Sequence, residues 1–237
     1  MKVCVYETAQ DVARAAAMVF ASEIMKRDGA VIGLATGSTP VPCYGELIKL
    51  YQNGLIDFSR VVSFNLDEYI GLSPDHPCSY RRFMNEQLFD HVNIDSANTH
   101  VPDGVNPDPD GYDRMIAAAG GIDLQLLGIG SNGHIGFNEP GNQFVYPTNI
   151  IPLTENTIRD NARFFGSVDD VPRSAISMGI GTILSARRII LLATGANKTD
   201  AIKAAIEGPI VPQMPASILR VHPNCQILLD RAAAAGL

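Results

Sequence analysis
The stretch Ser131-Asn132-Gly133-His134-Ile135-Gly136-Phe137-Asn138-Glu139-Pro140 concentrates more reactive side chains than any other part of the chain. His134 supplies an acid or base near neutral pH. Glu139, five residues on, is able to orient that imidazole or tune its proton affinity. Glycines at 128, 130, 133 and 136 let the backbone approach a ligand closely. One histidine with one glutamate falls short of a metal set, and no HExxH or second clustered histidine accompanies it, so no metal is expected. There is no GxSxG elbow either, which weakens a serine-hydrolase reading.

A second candidate is Asn65-Leu66-Asp67-Glu68-Tyr69. Adjacent carboxylates project in different directions, so one is free to serve as a general base while the other makes structural bonds. A turn cap is the ordinary fate of an aspartate after a strand, and that alternative stays open. A third is Thr36-Gly37-Ser38-Thr39, one glycine and hydroxyl side chains leading into Pro40. At a helix N-terminus such a turn presents backbone N–H groups and a favourable dipole, a cradle for phosphate. It matches neither GxGxxG nor GxxxxGK, which disfavours dinucleotides and nucleoside triphosphates. A plain strand-to-helix turn is the competing reading. Arg163 and Lys198 stand apart as cations that a phosphorylated substrate would need.

These residues require a scaffold, and the hydrophobic pattern supplies one. Apolar runs at 3–6, 30–35, 61–66, 124–129, 189–193 and 227–229 read as strands. Amphipathic stretches at 11–27, 80–89, 112–119, 154–164 and 199–206 read as helices. A further helix should run to about residue 52, with Thr39 as its N-cap and Pro40 at its first position. The alternation predicts an α/β fold: a single-domain, open, mainly parallel sheet flanked by helices, Rossmann-like, over residues 1–237. Ligands of such sheets bind outside the carboxyl ends of strands. Three of those ends are polar here: 36–39, 65–69 and 130–139.

The chain is 46% hydrophobic and 18% charged, which fits one compact domain. A net charge of −7 makes nucleic acid and anionic membrane surfaces poor partners. An anionic small molecule must therefore be held by local groups. Cys4, Cys43, Cys78 and Cys225 show no CxxC or zinc-like spacing. No signal-peptide core and no window of 18 apolar residues is present, so a cytoplasmic protein is expected.

Taken together, 33–40, 64–69, 127–140, 161–165, Lys198 and Val221-His222-Pro223 resemble the glucosamine-6-phosphate deaminase family, in its order and across nearly the whole chain. The stretch 133–140 is the most specific piece. The resemblance implies a cofactor-free aldose–ketose isomerisation with loss of ammonia, turning glucosamine 6-phosphate and water into fructose 6-phosphate and ammonium. It implies that His134, supported by Glu139, opens the pyranose ring, and that Asp67 moves the C2 proton to C1. It assigns Gly37, Ser38, Thr39, Arg163 and Lys198 to the phosphate. Many members carry an acidic residue where this chain has Asn132, so the ring-opening group here is expected to work without that charge. Residues 150–165 are a candidate mobile lid. The longer, hexameric branch extends past this chain's C-terminus, so a monomer is expected. Basic effector-binding residues of allosteric members would fall within 149–151, where this chain has none. The rivals are a 6-phosphogluconolactonase and a sugar-phosphate sensor. The first is disfavoured by 65–69 and 133–140. The second needs neither Asp67 nor His134, and its usual helix-turn-helix has no room before the first strand.

Overall fold
The computed structural model describes residues 1–237, the side chains of Asn156 and Asp160 excepted. The strands are β1 Lys2–Tyr6, β2 Val31–Leu34, β3 Val62–Asn65, β4 Asp67–Tyr69, β5 Thr99–His100, β6 Leu124–Leu127, β7 Asn149–Pro152, β8 Ser174–Ser177, β9 Ile189–Ala193 and β10 Cys225–Asp230. The helices are α1 Ala9–Lys26, α2 Val41–Gln52, α3 Tyr80–Gln87, α4 Pro109–Ala118, α5 Glu155–Phe165, α6 Ile180–Leu184 and α7 Thr199–Glu207.

Seven strands form one parallel sheet in the order β1-β10-β9-β6-β2-β3-β5. Its central strands read VIGL, LQLL and IILLA and are buried along their whole length. Parallel strands covered by helices on both faces need that continuous apolarity. Helix α1 buries Val12, Ala13, Ala16, Ala17, Phe20, Ala21 and Ile24, a stripe at three- and four-residue spacing. Its N-terminus is capped by Thr8, whose hydroxyl accepts from the Asp11 N–H. Phe20, Ile32 and Leu47 are wholly buried, each worth roughly 1.5–3 kcal/mol of transfer free energy.

The topology fixes where a ligand goes. From β2 the chain winds outward through β3 to β5, then returns to place β6 on the other side of β2. The loops leaving β2 and β6 therefore diverge, opening a crevice at their carboxyl ends. The opposite ends are pinned by Asp123, which accepts from Arg27, from Arg187 at 2.7 Å and from the Val31 N–H at 2.8 Å.

A second sheet was not visible in the apolar pattern. It is antiparallel, three-stranded and ordered β4-β8-β7, with Asp67 opposite Ser177 and Asn149 opposite the same residue. It has its own apolar cluster: Tyr69, Phe137, Leu153, Ile158, Val171 and Ala175. The expected capping by Thr39 is also corrected. Pro40 is the cap residue of α2 and Pro42 lies in the first turn, so no side chain caps this helix. A proline side chain has no acceptor to offer.

Candidate active site
A cavity of about 860 Å³ opens at the carboxyl ends of the sheet, where the turns after β2, β3, β6 and β9 meet. Asp67, Asn132, His134, Gly37, Ser38, Thr39, Arg163 and Lys198 all line it. Eight residues singled out from the sequence, spread from 37 to 198, are thus brought to one place. Glu139 does not line the cavity. It stands behind Asn132.

Asp67 and Glu68 divide their roles as adjacent strand residues must. Glu68 is 2% exposed and accepts from the Ser79 hydroxyl at 2.7 Å and from the N–H groups of Tyr69, Tyr80 and Arg81 at 2.8, 3.0 and 3.1 Å. It ties the start of α3 to β4. Asp67 is 5% exposed, points to the other side and lines the cavity. Burial, with a smaller contribution from the Glu68 charge, pushes its carboxyl from 3.8 up to about 8. Asp67 is placed beside the 130–139 loop by Gly136, which has φ +55°; a Cβ there would stand 3.1 Å from Ser177 Oγ and 3.5 Å from Asp67 Oδ2. Only glycine takes that backbone conformation without strain.

His134 is fixed by hydrogen bonds that run in one direction. Glu139 Oε2 accepts from Asn132 Nδ2 at 2.7 Å, and an ionised carboxylate only accepts. The amide is therefore oriented with Oδ1 toward His134. That oxygen takes the His134 backbone N–H at 3.1 Å and meets ring Nδ1 at 2.7 Å. Nδ1 must carry the proton, which makes Nε2 the basic nitrogen of the neutral ring. Glu139 Oε2 is 3.7 Å from Nδ1, so the glutamate acts on the imidazole through Asn132 rather than by a direct bond. The charge missing at position 132 is thus supplied one residue further back. Gly130 is needed as well, because a Cβ there would overlap the imidazole ring.

The side of the cavity that carries the candidate phosphate ligands is built mainly from turns. Ser38 and Thr39 precede α2, and Lys198 is the cap residue of α7. The turn before Lys198 is held by Asp230 at the end of β10, whose two carboxylate oxygens lie 3.1 and 3.0 Å from the Gly195 N–H. Arg163 comes from α5, with its guanidinium 4.7 Å from the Phe164 ring centroid. Thr36, from the expected phosphate cradle, also lines the cavity, as do Tyr80, Thr157, Arg159, Asn161 and Asn197, to which the sequence gives no role of their own. Only Tyr80 carried a local signal, as the first residue of a helix after Ser79. His222 lies elsewhere: it is buried, and its ring bonds the Ala186 carbonyl at 2.8 Å and accepts from the Asn224 N–H. Among the described residues no three His, Cys, Asp or Glu side chains are grouped to hold a metal, and no helix is long and apolar enough to cross a membrane.

Residues 5–227 match the family described as glucosamine-6-phosphate isomerases/6-phosphogluconolactonase. A glucosamine-6-phosphate deaminase of Shewanella woodyi is 52% identical over 241 residues, covering 100% of this chain and 91% of the relative. One from Thermoanaerobacter pseudethanolicus is 49% identical over 238 residues, covering 99% and 94%. A solved structure of a monomeric glucosamine-6-phosphate deaminase superposes with a TM-score of 0.97 at 42% identity, with full coverage of both chains. The 6-phosphogluconolactonase of Trypanosoma brucei superposes with a TM-score of 0.76 at 22% identity, covering 100% of this chain and 98% of its own, and shares the fold. The chain belongs to the glucosamine-6-phosphate isomerase and 6-phosphogluconolactonase family.

Proposed function
We infer that the protein converts glucosamine 6-phosphate and water to fructose 6-phosphate and ammonium. The observation that carries this reading is one cavity lined by a buried carboxylate, an oriented imidazole, the hydroxyl-bearing turn 36–39 and the cations Arg163 and Lys198. Full-length relatives at about half identity bear the deaminase name, which favours it over a lactonase.

The chemistry follows from the placement. Ser38, Thr39, Arg163 and Lys198 hold the phosphate, with Gly37 opening the turn, and this remote contact supplies binding energy for positioning the sugar. Nε2 of His134 takes the anomeric hydroxyl proton and passes it to the ring oxygen as the C1–O5 bond breaks, while Asn132 and Glu139 hold the tautomer. Asp67 then removes the proton at C2 of the open-chain aldehyde and returns it to C1 through an enolamine, while the C1 oxygen gains a proton from the ammonium group and an iminium is left at C2. Water adds at C2, and the C–N bond breaks to release ammonia. Asp67 must be ionised to act. The ammonium group the substrate carries at C2 favours that ionised form, whereas an N-acetyl group carries no charge to do so.

The 150–165 segment, which contributes Ile151, Ile158, Ala162 and Phe165 to the separate apolar cluster, is read as a cover over the site. The protein is read as a cytoplasmic monomer, supported by its likeness to the monomeric deaminase and by four cysteines present as free thiols. Incubation of the pure protein with glucosamine 6-phosphate should release ammonium and fructose 6-phosphate in equal amounts. Hydrolysis of 6-phosphogluconolactone without ammonium release from the amino sugar would replace this reading with the lactonase one.

A further inference from the structure
We propose that Thr157 is a positioning residue that ties helix α5, the carrier of Arg163, to the tautomer of His134. The inference rests on the deaminase reading and adds a residue to its machinery. Thr157 lies in the first turn of α5, is 6% exposed and lines the cavity. Its hydroxyl donates to Glu139 Oε1 across 18 residues of sequence. The same hydroxyl oxygen accepts from Thr154 Oγ1 at 3.1 Å, so its single proton is committed to the carboxylate.

The bonds then form an ordered series. Thr157 holds one oxygen of Glu139, and the other oxygen holds the Asn132 amide. The amide presents Oδ1 to both the N–H and Nδ1 of His134. Each link is an acceptor facing a donor, so reversing any one sets two donors or two acceptors face to face. Without the hydroxyl, one oxygen of a nearly buried carboxylate loses its partner, and the carboxylate is released to rotate. The Asn132 amide then has no fixed orientation to pass on.

Helix α5 makes this a link to substrate binding. Ile158 and Ala162 seat it in the cluster that contains Tyr69, the strand neighbour of the Asp67–Glu68 pair. The same helix carries Arg163 into the cavity. A phosphate that draws Arg163 inward fixes the helix and with it the Thr157 hydroxyl. Phosphate capture and proton transfer at His134 are thereby joined through one rigid element.

The test compares Thr157→Val, which keeps the shape and removes the hydroxyl, with Thr157→Ser, which restores it. Removing an outer positioning partner of this kind costs roughly 10–100-fold in activity, so kcat for ammonium release should fall by that factor in the valine variant and recover in the serine one. In a Glu139→Gln background the valine change should cost nothing further, because the hydroxyl acts only through Glu139. The kcat losses of Thr157→Val and Arg163→Ala should likewise overlap rather than multiply. A valine variant within about 2-fold of wild-type kcat, or losses that multiply with Glu139→Gln, would overturn the proposal. If valine fails to fold, Thr157→Ala in the same two backgrounds carries the comparison. Ammonium release by the wild-type protein separates the two levels: its absence would sink the deaminase reading, whereas release by wild type beside an unaffected Thr157→Val sinks only the role of Thr157.

Discussion

Asp67→Asn should slow turnover strongly and make the protein more stable, and the gain should depend on pH. The carboxyl titrates near 3.8 when unfolded and near 8 in the folded chain. Between those values the folded state binds more protons than the unfolded one, so the wild-type carboxyl makes stability fall as pH rises. Below pH 4 it is protonated in both states and contributes nothing. At pH 7 the cost of holding it is at most about 4 kcal/mol, from roughly three pH units at 1.36 kcal/mol each. Asparagine has the shape of the protonated acid and never ionises. The stability difference between variant and wild type should therefore be near zero at pH 4 and grow by up to about 1.4 kcal/mol per pH unit, flattening above pH 8. For a chain of this size the gain at pH 7 corresponds to roughly 8–16 °C in Tm. Urea unfolding of both proteins at pH 5, 6, 7 and 8 measures the difference directly. A difference that does not change with pH, or that shrinks as pH rises, would show that burial does not govern this carboxyl. Activity gives the second half of the test. Loss of the base should lower kcat by roughly 10²-fold or more with little change in phosphate inhibition, and retention of more than about a tenth of kcat would remove Asp67 from that role.

Lys198→Ala and Arg163→Ala should each lower kcat/KM by roughly 10–150-fold, the equivalent of about 1.5–3 kcal/mol for a charge-assisted bond, and should weaken inhibition by inorganic phosphate. Unchanged inhibition would make both residues surface charges. Asn132→Asp would set two carboxylates where an amide now bonds Glu139 at 2.7 Å. Like charges that close share a proton, so the kcat/KM profile of the variant should gain an ionisation the wild type lacks, and superposing profiles would contradict the bridging role of Asn132. Substrate saturation should be hyperbolic and unaffected by N-acetylglucosamine 6-phosphate, because β7 carries no Lys or Arg and Ile150 is exposed on it. Sigmoidal kinetics relieved by that compound would refute this.

The central strands of the parallel sheet could be read from the sequence because they are buried on both faces, and full burial leaves unbroken apolar runs such as IILLA in β9; the two-residue edge strand β5, Thr99–His100, has no such run and was not expected. The antiparallel sheet could not. Asp-Glu-Tyr in β4 and Ser-Ala-Ile-Ser in β8 have little strand character of their own, and β7 alternates between half-buried and exposed. Those segments become strands because they pair with one another around the 130–139 loop, a tertiary outcome that overrides local preference. Thr39 was misjudged for a related reason. A threonine before a proline suits an N-cap on average, but the turn here continues one residue further and puts Pro40 at the cap position.

The site shows the same division between identity and linkage. Asp67, His134 and Glu139 are conspicuous as residue types, yet the link from Glu139 to His134 depends on a loop reversal at Gly133 and Gly136, with φ of +87° and +55°. That reversal puts the Asn132 side chain between them. Asp67 and Glu68 could be assigned separate tasks from their adjacency, but not which of them would carry the proton. Four donors converge on Glu68 and leave its oxygens engaged with α3 and β4. Asp67 has the cavity in front of it and the Glu68 charge beside it, and it is the one driven toward the neutral form. In the proposed mechanism that neutral form must lose its proton before Asp67 can act, and an ammonium group at C2 of the substrate favours the loss.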